Sequence, residues 1–292
     1  MVNPKQQVLM PGLYLVATPL GTARDITLRA LDILASADVI AAEDTRSLRK
    51  LMDIHGISLG DRPMIAYHDH NGERVRPRLL RALEEGRSVV YASEAGTPMV
   101  ADPGYDLARA AVAEGYRLTS APGPSAVIAA LTVSGLPTDH FFFAGFLPNA
   151  TGKRKSALRA LEPVPGTLVF YESPKRVAAM LRDAAEVLGS EREAAVCREL
   201  TKKFEEVLRG TLDELAATCA ERPLKGEIVV LVDRARLPNV RESDLDSKLV
   251  EALKGASVRD AADQVSAELG LKRRQVYQRA LDLDKARNGE DG

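Results

Sequence analysis

The chain has 292 residues, 45% of them hydrophobic and 28% charged, with a formal net charge of −1; this composition suits a globular protein of two medium domains and a small third. The near-zero charge excludes wholesale electrostatic binding to nucleic acid but leaves room for a local basic patch, and 4% aromatics with no tryptophan exclude an extended base-stacking surface. No apolar run approaches the ~18 residues of a membrane span, residues 1–10 lack the apolar centre of a signal peptide, and the two cysteines, Cys197 and Cys219, lack metal-ligand spacing, so a cytoplasmic protein with reduced, buried thiols is expected.

From Gly12 to Ala121 short β-rich runs alternate with longer helical ones. Strands are predicted at 13–17, 39–42, 64–67, 88–92 and 117–120. The segment 25–37 reads as a helix capped by Asp25, with Ile26, Leu28, Ala30, Leu31 and Leu34 on its apolar face. This alternation predicts a mainly parallel sheet covered on both faces. Small-residue loops follow the first, fourth and fifth strands: Ala17-Thr18-Pro19-Leu20-Gly21, the stretch Ser93-Glu94-Ala95-Gly96-Thr97-Pro98 running on to Gly104, and Ala121-Pro122-Gly123-Pro124-Ser125-Ala126. Any one of them reads equally well as an ordinary strand-to-helix turn. Together, at the carboxyl edge of one sheet, they predict a common binding cleft where backbone closely approaches a ligand.

A second unit begins near Pro124 with a helical run at 125–134, followed by the aromatic run Phe141-Phe142-Phe143-Ala144-Gly145-Phe146. Strands are predicted at 167–171, 194–198, 205–209 and 227–232, and helices at 153–161, 174–188 and 212–220. The strands at 194–198 and 205–209 lie too close for a helical crossover, which implies antiparallel pairing and a mixed sheet. Residues 236–246 are polar and read as a linker. Beyond them a helical pattern stops at Gly270 and a second helix, 273–283, is headed by Lys272-Arg273-Arg274. Helix, glycine turn and basic helix fit a helix-turn-helix module or a plain helical hairpin. Lys272 and Arg279, two turns apart with Arg273 beside them, would share a face able to track an RNA backbone. The expected organisation is 1–122, 123–235 and 245–292.

Three further patterns carry open readings. Tyr67-His68-Asp69-His70-Asn71 offers metal-ligand types, but no further ligand cluster accompanies it, and a loop role is expected with no metal. Lys153-Arg154-Lys155 is a solvated helix start or an RNA phosphate contact. The run 141–146 is core, or an apolar surface for a second copy of the chain.

The order and spacing of several motifs make the chain resemble the tetrapyrrole methylase superfamily and, within it, the ribosomal RNA small subunit methyltransferase I family. The stretches are Gly12-Leu13-Tyr14-Leu15-Val16-Ala17-Thr18-Pro19-Leu20-Gly21, Ala41-Ala42-Glu43-Asp44-Thr45-Arg46, Tyr67 to Asn71, Gly96-Thr97-Pro98 and Asp102-Pro103-Gly104. They continue with Pro122-Gly123-Pro124-Ser125-Ala126, Gly145-Phe146-Leu147-Pro148, Tyr171-Glu172-Ser173-Pro174, Arg198-Glu199-Leu200-Thr201-Lys202 and Lys225-Gly226-Glu227. The chain departs from the family pattern at Thr22, Gly72, Glu94 and Lys175.

The resemblance implies an α/β tetrapyrrole-methylase-like two-domain fold, with a parallel-sheet N-domain, a mixed-sheet C-domain and a small C-terminal helix-turn-helix-like module. It implies S-adenosylmethionine as methyl donor, bound between the domains, and a cytidine ribose 2′-hydroxyl in the decoding region of 16S rRNA as acceptor, met within the small ribosomal subunit by a homodimer. Cofactor contacts carried over are Pro19, Gly96, Thr97, Pro98, Val100, Ala101, Ser125, Ala126, Tyr171 and Gly226. A ribose hydroxyl is a very weak acid, so a base or a charge that stabilises the alkoxide is needed. Glu172, Glu199 and Lys202 are the catalytic candidates, drawn from a wider set with Glu43, Asp44 and Asp102. For Lys202 a plain ion pair with Glu199 or Glu205 stays open. Alternative readings are a tetrapyrrole-type small-molecule methyltransferase, against which Ala95-Gly96-Thr97-Pro98 departs from the porphyrin-type motif, and a non-catalytic ribosome-assembly factor.

Overall fold

The structure, a computed structural model, describes residues 4–100, 104–235, 242–269 and 273–289. The chain divides into two compact units, one ending at Asp233 and one beginning at Arg234.

In the first unit, β1 (Gly12–Val16), β2 (Val39–Ala42), β3 (Met64–Ala66), β4 (Ser88–Ala92) and β5 (Leu118–Ala121) form a sheet of order β3-β2-β4-β1-β5. Every pairing in it is parallel. β1, β2 and β4 are buried along their whole length, which is why they read as continuous apolar runs rather than alternations. Helices α1 (Leu28–Ser36) and α2 (Thr45–Ile54) cover one face, where Leu31, Leu34, Leu48 and Met52 meet Tyr14, Val16 and Ile40. Helices α3 (Gly72–Glu84) and α4 (Gly104–Ala113) cover the other through Leu79, Leu83 and Leu107. Neighbouring strands β1 and β4 therefore send their connections to opposite faces, and the crevice this opens at their carboxyl ends is where α/β sheets bind ligands.

Helix α1 starts later than the periodicity predicts. Thr27 is its N-cap, accepting from the Ala30 amide at 3.2 Å. Asp25 sits instead in a turn, its amide donating to the Thr22 carbonyl at 2.9 Å.

The second sheet has the order β6-β7-β10-β8-β9, built from β6 (Phe141–Phe146), β7 (Thr167–Glu172), β8 (Glu193–Arg198), β9 (Glu206–Thr211) and β10 (Ile228–Val232). Only β6 and β7 pair in parallel; the other three pairings are antiparallel. The mixed sheet expected from the short β8–β9 spacing is present. Helix α5 (Ala126–Ser134) packs on the face of Val169, Ala195 and Val229. Helices α6 (Thr151–Leu161), α7 (Val177–Leu188) and α8 (Leu212–Glu221) cover the opposite face through Leu158, Met180, Leu181 and Leu215. The first sheet ends with β5 and α5 leads into the second, and both sheets belong to one compact unit rather than to the two separate domains expected at 1–122 and 123–235.

The second unit holds α9 (Glu242–Ala252), α10 (Val258–Leu269) and α11 (Arg273–Gly289), packed around Leu249, Ala262, Val265, Val276 and Ala280. The expected linker is corrected at its end: residues 242–246 already belong to α9, and 236–241 lie outside the described residues. The polar start misleads because acidic residues favour a helix N-terminus, while Leu245, Leu249 and Ala252 supply the apolar stripe. Among the described residues no helix is long and apolar enough to cross a membrane.

Candidate active site

The three small-residue loops meet. Thr18 and Gly96 exchange backbone hydrogen bonds, both 3.0 Å, across the β1–β4 crevice. The Ser93 hydroxyl donates to the Gly96 carbonyl at 2.8 Å, and the Thr97 hydroxyl donates to the Pro124 carbonyl at 2.8 Å. Short hydroxyl side chains thus bind the loops to one another, leaving little room for backbone motion. Gly96 has φ 84°, and a Cβ there would stand 3.1 Å from Leu20 Cδ2. A residue with a side chain would be strained and would also press on Leu20.

Facing these loops is the end of the second sheet, and between them lies a cavity of about 460 Å³, within the ~300–1,000 Å³ range of small-molecule sites. The first sheet's loops contribute Leu20, Gly96, Thr97 and Val100, and the start of α5 contributes Ser125 and Ala126. The second sheet contributes Tyr171, Cys197, Val229 and the turn Gly226-Glu227. Burial pushes the Cys197 thiol up to about 11, so at neutral pH it is protonated, a poor nucleophile and part of an apolar floor.

Four carboxylates, Glu43, Glu94, Glu172 and Glu227, line the cavity. Glu43 Oε2 accepts from the Glu94 amide at 2.9 Å. The Glu172 side chain is fully buried; its Oε1 accepts from the Ser173 amide at 2.7 Å, and its Oε2 lies 3.2 Å from Arg176 Nη2. That ion pair is not aligned as a hydrogen bond, so Oε2 has no hydrogen-bond partner. Desolvation is the largest influence and raises the Glu172 pKa against the opposing pull of the Ser173 amide and Arg176. Arg176 also donates to the Leu147 carbonyl at 2.6 Å, fixing the chain that leaves β6.

Glu199 and Lys202 do not line the cavity; they stand behind its wall. Lys202 Nζ lies 3.1 Å from Glu199 Oε1 and 3.0 Å from Glu227 Oε2. Glu199 Oε1 also accepts from the Glu227 amide at 2.9 Å, and this bond is the main reason its carboxyl is held below the usual range. For Lys202, burial works to lower the pKa, but hydrogen bonds to Glu227 and Glu199 outweigh it and the net shift is upward. The partners are Glu199 and Glu227; Glu205 instead accepts from the Thr201 amide at 2.5 Å. Two residues of this loop hold left-handed backbone, Glu199 at φ 51° and Thr201 at φ 63°. Gly226 is required beside it: its φ is 89°, and a Cβ would fall 2.3 Å from Glu199 Cδ. The loop also reaches the first sheet, where the Thr22 hydroxyl donates to the Thr201 carbonyl at 2.5 Å.

Of the sequence-predicted cofactor contacts, Gly96, Thr97, Val100, Ser125, Ala126, Tyr171 and Gly226 line the cavity. Pro19 and Pro98 flank lining residues without lining it themselves, and Ala101 lies outside the described residues. Of the wider acid set, Asp44 is the cap of α2, accepting from the Arg46 and Ser47 amides at 2.7 and 3.1 Å, and Asp102 lies outside the described residues. Sequence reasoning missed Cys197, Glu227 and Phe146 as lining. Cys197 and Val229 join the site through register, Val229 lying opposite Tyr171 on one side and Cys197 on the other, a pairing that no local sequence pattern carries.

Two basic patches are corrected. Arg154 is buried, its Nε donating to Asp183 at 2.6 Å, and Lys155 pairs with Glu186 at 2.5 Å, so of Lys153-Arg154-Lys155 only Lys153 is exposed. In the second unit Arg273 pairs with Asp263, and Arg279 with Asp246 at 2.6 Å. Acidic residues of α10 and α9 thus pair with Arg273 and Arg279, while Arg274 is exposed; Lys272 lies outside the described residues. The His68–Asn71 segment is a loop in which Asn71 Oδ1 accepts from the His68 amide at 3.0 Å. No group of three or more metal-ligand side chains that could hold a metal ion occurs among the described residues.

Residues 12–216 match the family of tetrapyrrole (corrin/porphyrin) methylases, and residues 240–284 match the RsmI C-terminal HTH domain. The chain is 48% identical over 286 residues to a ribosomal RNA small subunit methyltransferase I of Mesorhizobium japonicum, covering 97% of this chain and 96% of that protein. It is 40% identical to the protein of that name in Halalkalibacterium halodurans, covering 91% and 93%. The fold is similar to uroporphyrin-III C-methyltransferase from Thermus thermophilus, solved with S-adenosylhomocysteine, at a TM-score of 0.55 and 21% identity over 76% of this chain and 97% of that one.

Proposed function

Since the chain belongs to the ribosomal RNA small subunit methyltransferase I family, and is thus a methyltransferase of small-subunit rRNA, we propose that it methylates the ribose 2′-hydroxyl of a cytidine in the decoding region of 16S rRNA, with S-adenosylmethionine as donor. The observation that carries this reading is the cavity itself, where rigid backbone loops meet a carboxylate-lined wall. The residues fit the donor. Gly96 and Gly226 keep backbone open where a Cβ would collide, Val229 and Cys197 give an apolar floor for an adenine and thioether carbons, and carboxylates suit an ammonium and a sulfonium. S-adenosylmethionine supplies an electrophilic methyl group when bound.

The chain's own residues supply orientation, a dry cavity and a proton acceptor. Glu172 is the acceptor: of Glu172, Glu199 and Lys202 it alone borders the cavity, and its raised pKa makes it a better base than an ordinary carboxylate once the substrate hydroxyl reaches its buried carboxyl group. Lys202 stays cationic and Glu199 anionic, and this pair positions the Gly226-Glu227 turn. The protein works as a homodimer in the cytoplasm, on the assembled small subunit. A dimer predicts a sedimentation mass of twice 31.6 kDa at micromolar concentration, and a 31.6 kDa species would refute it.

The deciding experiment incubates the purified protein and labelled S-adenosylmethionine with small subunits from a strain lacking it, then maps ribose methylation. A new 2′-O-methylcytidine in the decoding region is expected. Base methylation, or transfer to uroporphyrinogen instead of rRNA, overturns the reading.

A further inference from the structure

The edge strand β6 carries a defect with one clear consequence. Its register against β7 runs Phe143 to Val169 and then skips, so that Gly145 faces Phe170 and Phe146 faces Tyr171. The skip is a β-bulge, and Gly145 at φ 65° adopts the left-handed backbone it needs. Side chains alternate along a strand, so without the bulge Gly145 would face Tyr171 and Phe146 would point elsewhere. With it, Phe146 stands on the same face as Phe143 and Tyr171, at the cavity wall. A bulge sacrifices ladder pairing, and here its product is one re-aimed aromatic ring.

Phe146 is 58% exposed. Tyr171 is its ring neighbour among the described residues, with centroids 5.6 Å apart and planes at 62°, so the two are not stacked face to face. Tyr171 also meets the Phe143 ring, at 4.9 Å between centroids. A large ring lining a cavity mouth and left uncovered has surface available to a flat apolar partner. The partner's charge is constrained as well: Glu43 and Glu94 share that cavity and would repel a phosphate. The part of an RNA that enters is then the nucleoside, with its phosphates outside.

We propose that Phe146 is the stacking platform for the nucleobase of the target nucleoside, drawn out of the RNA so that its ribose reaches the cavity. This rests on the rRNA-methyltransferase reading. Proteins that act on folded RNA commonly hold a splayed base on an aromatic face, and stacking fixes the sugar's position without requiring a charged contact.

The test compares wild type, Phe146→Ala, Phe146→Leu and Phe146→Tyr, reading S-adenosylmethionine affinity by calorimetry, kcat/KM on small subunits, and sedimentation. Phe146→Ala is expected to lower kcat/KM by about five- to a hundredfold, the range for loss of one base–aromatic stack, with cofactor affinity and sedimentation unchanged. Phe146→Tyr should restore activity and Phe146→Leu should not. Should Phe146→Ala prove unstable, Phe146→Leu against Phe146→Tyr carries the same comparison. Full activity in Phe146→Leu or Phe146→Ala overturns the proposal. So does a loss of cofactor affinity that matches the loss of activity, which would give Phe146 to the donor, and so does altered sedimentation, which would place it in an interface. A wild type that methylates no ribose overturns the functional reading and this proposal with it; an active wild type with indifferent variants overturns the proposal alone.

Discussion

Glu172 carries two opposed demands. As a buried carboxylate it is destabilising when ionised, since desolvation outweighs the help of the Ser173 amide and Arg176. As a proton acceptor it has to be ionised. Its folded pKa lies above the reference value of 4.5, so the folded state binds the proton more tightly than the unfolded state. Stability contributed by the protonated form is full below 4.5 and is lost as pH rises through the folded pKa. Glu172→Gln should therefore unfold at a higher temperature than wild type at pH 7, with the advantage vanishing near pH 4, while kcat falls by about 10²–10⁴. Equal activity in that variant would remove Glu172 from the chemistry. Gly96 makes a simpler prediction. Because its φ is 84° and Leu20 stands 3.1 Å from any Cβ, Gly96→Phe should abolish cofactor binding in calorimetry while thermal unfolding stays cooperative. Left-handed strain costs about 1–2 kcal/mol, less than the total stability of a typical domain. Unchanged cofactor affinity would show that this loop does not hold the donor.

At the scale of elements, the β8–β9 connection works as a brace. Its left-handed residues Glu199 and Thr201 bring Lys202 between two carboxylates and a carbonyl to the Thr22 hydroxyl. Left-handed backbone at two non-glycine residues persists only where surrounding contacts hold it. The brace ends on Gly226-Glu227, so its loosening should move the cavity wall rather than the reacting atoms. Lys202→Met is expected to raise the KM for S-adenosylmethionine at least about tenfold and to lower kcat much less, with Lys202→Arg restoring part of the affinity. A collapse of kcat with unchanged KM would instead make Lys202 a group that acts on the transition state.

At the scale of the molecule, each compact unit has its own core, the second one built on Leu249, Ala262, Val265, Val276 and Ala280. Truncation after Arg236 should leave cofactor affinity and cooperative unfolding of the remainder intact. It should weaken binding to small subunits, with only a small change in salt slope, because Arg273 and Arg279 already have acidic partners. Unchanged methylation of small subunits by the truncated protein would make the second unit dispensable for recognition.

The sequence by itself determined whatever rests on local pattern. The apolar runs of β1, β2 and β4, the small-residue loops after β1, β4 and β5, and the short β8–β9 spacing each carry their own signal, because periodicity and glycine–proline chemistry act over a few residues. The cleft was legible for the same reason, since parallel strands put their carboxyl ends on one edge. Tertiary structure alone decided what the charged residues do. Arg154 sits in a basic run, yet its partner is Asp183 from another helix, and Lys202 pairs with Glu227 from a strand connection far along the chain. Phe146 faces the cavity because a bulge shifts its register, and the Glu172 pKa is raised because folding strips it of water. Burial and long-range pairing set a charge's role, and neither is written in the residues next to it.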